Sequence, residues 1–351
     1  METRHGKFGN KMNILVTGSD GYIGTVLVSH LLGKGYHVTG LDTGFFRTAH
    51  FHNGITKLPH TINKDVRTVI PSDFSSIDTV IHLAELSNDP MGQNDPEITY
   101  KINHLGTARL SKMAKKAGVK RFIYFSSCSV YGASDSVRDE NSPTNPQTEY
   151  AKCKVLNEKA ILQLTDEEFS TVIFRNATVF GVSPRMRFDL VVNNLTGLAF
   201  IQKEIKMESN GEPWRPLVHI DDLCRAVLSV ITVPNEVITG QIFNIGATNS
   251  NYQIKEIASL IAGEMPGCKV SLNKNGRDNR NYRVNFDKLN SKIPGFKCES
   301  DLKKGIRELF SIYKEIGLKR EVFDSPKYTR LKQLRFLQET NQINKDLFWI
   351  D

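Results

Sequence analysis

Short apolar runs rich in β-branched residues alternate with longer amphipathic stretches along the first half of the chain. The apolar runs lie at 13–17, 37–42, 79–83 and 121–126. Helical patterns follow the first run through Leu32 and occupy roughly residues 97–117. Runs of this length between turn residues are typical of buried strands. Since strand and helix alternate, the sequence predicts βαβ units and a parallel sheet.

The second half adds a further strand pattern and a terminal helix. The run 171–175 has the pattern of another parallel strand. Near the end, Leu331, Leu334 and Leu337 recur at helical spacing beside basic residues, which predicts an amphipathic helix. This helix could pack on its own domain or on a dimer mate. It could also lie on a membrane surface, although Glu339 and Asp346 interrupt its basic residues.

Length and composition narrow the class of protein. A chain of 351 residues is too long for one ordinary core, so a large domain with a smaller lobe, or two domains, is expected. The net charge of +8 is spread along the chain without an aromatic-interleaved basic patch, so nucleic acid is not an expected partner. No apolar run approaches the roughly 20 residues of a membrane span.

The cysteines indicate the redox compartment. Their number is five, and no two of them have a CxxC spacing. This favours reduced thiols in a cytoplasmic protein over a disulfide framework or a zinc site, and no metal is expected. Residues 1–11 are polar and basic and are predicted to be a flexible leader.

A glycine turn follows the first predicted strand directly. Gly18 would permit the tight turn, Gly21 would let the backbone approach a pyrophosphate, and Gly24 would allow close helix packing. Tyr22 and Ile23 lie between Gly21 and Gly24 in this stretch and are also candidates for binding the cofactor, and an apolar helical pattern follows. A turn without chemistry is the alternative, but strand, glycine turn and helix in this order favour a dinucleotide site.

The ends of the other predicted strands carry further candidates, because ligands bind at the carboxyl ends of parallel strands. Asp42 lies 24 positions after Gly18, where a carboxylate would bind the adenosine ribose and favour NAD over NADP. Arg47 is near enough in sequence to leave NADP open. The remaining candidates are Asp65 and Val66 near the adenine, Leu83, Ala84 and Glu85 near the nicotinamide ribose, and Ser126 and Ser127 near the reacting centre.

Tyr150 and Lys154 are four residues apart in a predicted helix and would share one face. A free phenol has a pKa of about 10, so a tyrosine base needs nearby positive charge. Lys154 and an oxidised nicotinamide ring could supply it together. Taken alone, the pair could equally be a chance pair on a solvated helix face.

Together these motifs resemble the extended short-chain dehydrogenase/reductases, and most closely the nucleotide-sugar epimerase/dehydratase group. The resemblance runs from about residue 12 to about residue 315. It rests on Thr17-Gly18-x-x-Gly21-Tyr22-Ile23-Gly24, Asp42, Asp65-Val66, His82-Leu83-Ala84, the stretch from Ser126 to Gly132, and Tyr150-x-x-x-Lys154.

The resemblance implies an α/β fold: a Rossmann-type doubly wound parallel sheet with a smaller C-terminal substrate-binding α/β lobe. Residues 12–180 would form the NAD-binding domain, with the chain returning to it around 215–250. Residues 181–317 would mainly form the substrate lobe, and 318–351 a C-terminal helical extension. The implied cofactor is NAD, the implied partner is a nucleotide-sugar substrate, and a homodimer is expected.

The resemblance also assigns a catalytic set. Ser127 would hydrogen-bond the reacting sugar oxygen, Tyr150 would exchange the hydroxyl proton, and Lys154 would also hold the nicotinamide ribose. Asn103 matches an asparagine behind the family's site, where it could act in the site or only hydrogen-bond beneath it.

Substrate residues are implied in the second half. Asn176 would bind the sugar or its diphosphate. Arg185 and Arg187 lie in a predicted lid, where they could clamp a diphosphate or remain solvated. Arg215 and Arg280 would be the two diphosphate clamps.

The residues after Ser127 bear on the reaction. The family's 4,6-dehydratases carry Asp-Glu where this chain has Cys128-Ser129, which disfavours dehydration. Glu85 could act as a substitute base or be a polar loop residue, and Cys128 could be a reactive thiol or a small buried residue. The first hypothesis is an NAD-dependent epimerase acting at C4 of a nucleotide-linked hexose. The alternatives are a one-way reductase or oxidase of a nucleotide-linked 4-keto sugar and a non-catalytic Rossmann protein.

Overall fold

The computed structural model describes residues 12–54, 58–87, 89–207, 209–273, 281–293 and 295–350. The strands are β1 (Asn13–Thr17), β2 (His37–Asp42), β3 (His60–Asn63), β4 (Thr79–His82), β5 (Arg121–Ser127), β6 (Val137–Arg138), β7 (Ser170–Asn176), β8 (Thr178–Phe180), β9 (Glu204–Met207), β10 (Trp214–His219), β11 (Gln241–Ile245), β12 (Asn251–Gln253), β13 (Lys269–Leu272) and β14 (Arg283–Val284).

The helices are α1 (Tyr22–Gly33), α2 (Asp89–Asn94), α3 (Pro96–Thr99), α4 (Thr107–Lys116), α5 (Glu149–Leu162), α6 (Val191–Gln202), α7 (Ile220–Thr232), α8 (Asn235–Ile238), α9 (Ile254–Glu264), α10 (Asp287–Lys292), α11 (Leu302–Glu315), α12 (Arg320–Phe323) and α13 (Arg330–Glu339). A π-helical segment, Tyr100–Gly106, joins α3 to α4.

The central sheet has seven strands in the order β11-β7-β5-β4-β1-β2-β3, and every neighbouring pair is parallel. This confirms the predicted doubly wound α/β fold. The strand order reverses between β1 and β4. In such sheets the crevice at this reversal is where ligands bind.

Most predicted strands have the expected bounds, but β3 had no signal in the sequence. Its four residues are polar or half-exposed because it is the edge strand, paired only with β2. An edge strand has less apolar surface to bury, so no apolar run marks it. The helical stretch predicted at 97–117 is divided among α3, the π-helical segment and α4.

Smaller sheets form mainly from the second half of the chain, with β6 from the first half. β10 pairs in parallel with β8 and antiparallel with β12, β13 pairs with β9, and β14 pairs with β6. Since β8 begins two residues after the central strand β7 ends, the chain leaves the large sheet at Asn176. This exit point lies at the carboxyl edge of the large sheet.

The C-terminal segment packs on the large sheet. Leu334 and Leu337 are buried in one apolar cluster with Phe45 and Val66. The Trp349 indole Nε1 donates a hydrogen bond to the carbonyl oxygen of Thr43 at 2.6 Å. None of the described helices is both long and apolar enough to cross a membrane. All five cysteines are unpaired, as the sequence predicted.

The buried side chain of Arg121 connects β5 to the carboxyl end of α7. Its guanidinium donates to the carbonyl oxygens of Val230 at 2.9 Å, Ile231 at 2.6 Å and Val233 at 3.0 Å. The last carbonyls of a helix have no partner within the helix, so a cation there satisfies them and opposes the helix dipole.

We therefore expect Arg121→Met to lower the free energy of unfolding by about 2–4 kcal/mol, because several buried carbonyls lose their donor. Urea denaturation followed by circular dichroism would measure the change. The control is Lys120→Met, which removes only the exposed ion pair of Lys120 with Glu168 and should change stability by less than about 1 kcal/mol. Equal effects of the two substitutions would contradict this account of α7.

Candidate active site

A pocket opens at the strand-order reversal between β1 and β4. Its lining includes every residue predicted to bind the cofactor except Tyr150 and Lys154, namely Gly18, Gly21, Tyr22, Ile23, Gly24, Asp42, Asp65, Val66, Leu83, Ala84 and Glu85. Phe45, Phe46, Ile102, Arg187 and Arg330 also line it. Turns from distant parts of the chain therefore meet around one pocket.

The glycine turn has no room for side chains. Gly18 has a φ of +72°, and a Cβ there would lie 2.9 Å from the backbone nitrogen of Ala84. A Cβ on Gly24 would lie 2.0 Å from the carbonyl oxygen of Gly18. No side chain caps the N-terminus of α1, which starts at Tyr22. A bare backbone turn before an uncapped helix N-terminus fits a diphosphate.

Asp42 occupies the position expected for a ribose-binding carboxylate. Its two oxygens accept hydrogen bonds from the backbone N–H groups of Gly44 at 2.8 Å and Asp20 at 3.0 Å. Burial and the nearby Asp20 carboxylate raise the pKa of Asp42 to about 6. The guanidinium of Arg47 is paired with Asp20 instead, at 2.8 Å. Among the described residues, no side chain therefore pairs with the Asp42 carboxylate on the pocket wall.

Asp65 reaches the pocket with its carboxylate already engaged. It caps the short 3₁₀ turn Val66–Thr68 and forms an ion pair with Arg67 at 2.7 Å. The Arg67 guanidinium in turn stacks on the ring of Phe348, 3.9 Å from its centroid. The C-terminal segment thus supports this side of the pocket.

The catalytic candidates meet where α5 packs on β5. Thr148 caps the N-terminus of α5, and Tyr150 and Lys154 lie one turn apart near that end of the helix. The Lys154 ammonium nitrogen is 5.3 Å from the centroid of the Tyr150 ring, and it donates a hydrogen bond to the carbonyl oxygen of Phe125 in β5. Ser127 ends the same strand two residues later. This bond holds the start of α5, with Tyr150 and Lys154, against the end of β5, which carries Ser127. We call this region the catalytic corner.

Glu85 joins this corner to the cofactor pocket. Its carboxylate Oε2 lies 2.9 Å from Lys154 Nζ, and both side chains are almost fully buried. The Tyr124 hydroxyl donates to Glu85 Oε1 at 2.7 Å, and the Asn157 amide donates to the same oxygen at 3.2 Å. Glu85 is thus a buried ion-pair partner, a role that the sequence did not predict. Lys154, which does not line the pocket itself, contacts it through Glu85, and the Tyr150 ring lies beside the Lys154 ammonium.

The ion pair changes the electrostatics of Tyr150. Burial raises the pKa of the Tyr150 phenol, and the carboxylates of Glu85 and Asp89 raise it further, whereas Lys154 and Arg187 lower it. The sequence predicted a pKa lowered by Lys154 together with a cationic ring. In the protein itself the pKa is raised, because burial outweighs Lys154 and Glu85 offsets the lysine charge.

Hydrogen bonds hold Ser127 and its neighbour Cys128 in place. The Ser127 Oγ accepts a hydrogen bond from the Ser129 N–H at 3.1 Å. Cys128 is 1% exposed, its Sγ donates to the carbonyl oxygen of Arg175, and burial raises the pKa of its thiol well above the usual range. These contacts favour the small buried residue over the reactive thiol.

Asn103 fixes the loop that carries Glu85. Its side-chain oxygen accepts from the Leu86 N–H at 2.8 Å, and its amide donates to the Leu86 carbonyl oxygen at 3.0 Å. Of the two roles open to Asn103, the structure shows hydrogen bonding beneath the site.

Three of the predicted substrate residues are Asn176, Arg187 and Arg185, and the structure describes all three. Asn176 lies directly opposite Ser127 in the β5–β7 register, and its buried Oδ1 has no hydrogen-bond partner in the described part of the chain. Arg187 lines the pocket and is paired with Asp189, at 2.9 Å from Nε to Oδ1. Arg185 is buried and contacts His50. Both lid arginines are therefore buried and not solvated.

Arg215 and Arg280 were predicted as diphosphate clamps. Arg215 is buried in β10, where it donates to the carbonyl oxygen of Trp214, and it does not line the cofactor pocket. Arg280 lies outside the described residues. The proposed role of Arg215 at the substrate is therefore separate from the cofactor pocket.

Sequence comparisons place this arrangement among known proteins. Residues 14–246 match the model of the NAD-dependent epimerase/dehydratase family. A UDP-glucose 4-epimerase of Mycolicibacterium smegmatis is 29% identical over 72% of this chain and 82% of its own length. A human dTDP-D-glucose 4,6-dehydratase is 26% identical over 88% of this chain and 91% of its own length.

The fold has a close match among solved structures. MoeE5, solved in complex with UDP-glucuronic acid and NAD, superposes with a TM-score of 0.74 at 26% identity, covering 86% of this chain and 99% of that protein. The glycine turn, the parallel sheet and the family match agree. The chain therefore belongs to the NAD-dependent epimerase/dehydratase family, whose cofactor is NAD.

Proposed function

We propose that the protein is an NAD-dependent epimerase that acts at C4 of a nucleotide-linked hexose. One observation carries the proposal: Ser127, Tyr150 and Lys154 share a corner with the cofactor pocket, and neutral Cys128 and Ser129 follow Ser127. This set can move one proton on one sugar hydroxyl. It offers no carboxyl pair at 128 and 129 for eliminating water.

The residues would act in a simple order. With Lys154 and the positive charge of an oxidised nicotinamide ring lowering its pKa, Tyr150 would act as a phenolate and take the proton from the C4 hydroxyl, while Ser127 would hydrogen-bond the same oxygen. Bound NAD would supply the hydride acceptor and later the hydride donor at C4. After the keto-sugar rotates in the site and presents its other face to the cofactor, Tyr150 returns the proton to the C4 oxygen. Lys154 holds positive charge beside the phenolate throughout.

The remaining assignments stay predictions. The unsatisfied Oδ1 of Asn176 beside Ser127 suits a sugar hydroxyl donor. We propose Arg185, Arg187, Arg215 and Arg280 as candidates for the substrate diphosphate. The division into a cofactor domain, a substrate lobe and a C-terminal extension, the homodimer and the cytoplasmic location also stay predictions.

The second candidate is a reductase of a nucleotide-linked 4-keto sugar, because the same three catalytic residues would serve it. A dehydratase is disfavoured even though dehydratases are among the relatives. Two buried carboxylates close to Ser127 and Lys154 are already engaged, since Glu85 is paired with Lys154 and Glu158 is paired with Arg175.

Cofactor use separates these candidates. We expect the purified protein to interconvert UDP-glucose and UDP-galactose, followed by proton NMR, without added cofactor. Absence of any UDP-hexose interconversion, with oxidation of NADH in the presence of a keto-sugar nucleotide, would establish the reductase instead. Mass spectrometry of the natively purified protein would identify bound NAD and any co-purified sugar nucleotide.

Tyr150→Phe tests the proposed base. We expect kcat to fall by about 100- to 10,000-fold, because the ring remains and the proton acceptor is lost. The dissociation constant of NAD, measured by calorimetry, should change little. Tyr100→Phe is the matched control, since Tyr100 is 41% exposed. Turnover of Tyr150→Phe within severalfold of wild type would contradict the assignment of Tyr150 as the base.

Glu85→Gln tests the electrostatic role of the ion pair. The amide oxygen can still accept from Tyr124 and Asn157, but the negative charge is lost. The Tyr150–Lys154 pair should then give up its first proton at lower pH, so the rising limb of the kcat/KM profile should move to lower pH.

The control for this experiment is Glu149→Gln, next to Tyr150 in sequence, whose carboxylate forms a surface ion pair with Lys152. Its pH profile should overlay that of wild type. A Glu85→Gln profile that is unchanged, or shifted to higher pH, would show that Glu85 does not set the charge at Tyr150.

A further inference from the structure

The cofactor pocket contains a buried cation from the C-terminal segment. Arg330, the first residue of α13, is 3% exposed and lines the pocket together with the glycine turn and the loop after β2. Among the described residues, neither of its terminal nitrogens Nη1 and Nη2 has a hydrogen-bond partner. An arginine buried in this way is costly unless a ligand pairs with it.

The guanidinium is held in position by its surroundings. It stacks on the ring of Phe46, 4.0 Å from the centroid. The backbone N–H of Arg330 donates to Asp189 Oδ2 at 3.3 Å, and the Gln333 side chain donates to the carbonyl oxygen of Phe45 at 3.2 Å. Leu334 anchors the next turn of α13 in the core. The start of α13 is therefore held by hydrogen bonds and core packing, and the Phe46 ring covers one face of the guanidinium.

The charged groups around Arg330 already have other partners. Arg187 has Asp189 as its ion-pair partner, and Asp42 accepts two backbone N–H groups. Burial and the nearby Arg187 lower the pKa of Arg330 to about 9, although Asp189 and Asp42 oppose this. Arg185 lowers this pKa further, so three arginines stand against two carboxylates among these groups. An anion between Arg330 and the glycine turn would relieve this excess of positive charge.

We propose that Arg330 binds the diphosphate of NAD, so that the C-terminal segment completes the cofactor site. The diphosphate would lie between the uncapped N-terminus of α1 and the forked guanidinium, which suits bidentate phosphate binding. Two further contacts of the segment support the same side of the pocket, the Trp349 bond to Thr43 and the Phe348 stack on Arg67. The proposal holds for an epimerase or a reductase alike, because it concerns the cofactor alone.

The test is a set of binding titrations on cofactor-free protein with NAD, ADP-ribose and adenosine. For Arg330→Met we expect the dissociation constants of NAD and ADP-ribose to rise about 10- to 100-fold, because a charge-assisted contact to phosphate is lost. Adenosine lacks the diphosphate, so its affinity should stay within about twofold. The matched control is Arg335→Met, which removes an exposed arginine from the same helix and should bind all three ligands as wild type does.

A second readout separates binding from packing. The melting temperature of cofactor-free Arg330→Met should equal or exceed that of wild type, since an unpaired buried charge is removed, whereas the rise caused by NAD should be smaller. Unchanged NAD affinity, or equal weakening of adenosine and NAD, would overturn the proposal. If Arg330→Met does not fold, Arg330→Gln replaces it. We expect the same results from that variant, and the same outcomes would overturn the proposal. Neither readout involves turnover, so failure of the epimerase assay would leave this test intact.

Discussion

The site depends on how closely the turn after β1 approaches the loop after β4. A Cβ on Gly18 would meet the backbone of Ala84, so the two turns touch at a position that only glycine permits. This contact fixes the place of Glu85, the next residue, at the edge of the pocket. Glu85 then reaches Lys154, and Lys154 reaches β5. One backbone contact thus sets the relation between the cofactor pocket and the catalytic corner.

Buried charge is the second constraint on this site. Removing two ions from water costs several kcal/mol for each ion, and close pairing repays that cost only where hydrogen bonds satisfy the remaining atoms. Glu85 and Lys154 meet this condition in part: Tyr124 and Asn157 donate to Glu85 Oε1 and Lys154 donates to the Phe125 carbonyl oxygen, whereas Glu85 Oε2 has only the ion pair with Lys154. The effect on Tyr150 is to place a neutral pair, instead of a bare ammonium, beside the phenol.

Sequence reasoning was most successful where local patterns carry the information. The bounds of β1 and β2 follow from their apolar runs, and the pocket contains the glycine turn, Asp42 and the 83–85 loop because all of them end parallel strands. It missed β3, whose edge position needs no apolar run. It also missed the Glu85–Lys154 pair, because residues 69 positions apart meet only through the order of β4 and β5.

Arg330 shows the limit of such reasoning most clearly. It lies 288 positions after Asp42, in a helix whose amphipathic pattern predicts only that it packs somewhere. The pattern marks Leu334 and Leu337 as buried, but it says nothing of the arginine at the start of the helix, where a charged residue is ordinarily solvated. Packing of those leucines beside Phe45 and Val66 carries Arg330 into the pocket. A residue of this kind becomes visible only when the partners of every buried charge are counted, because its unmet hydrogen bonds point to a ligand.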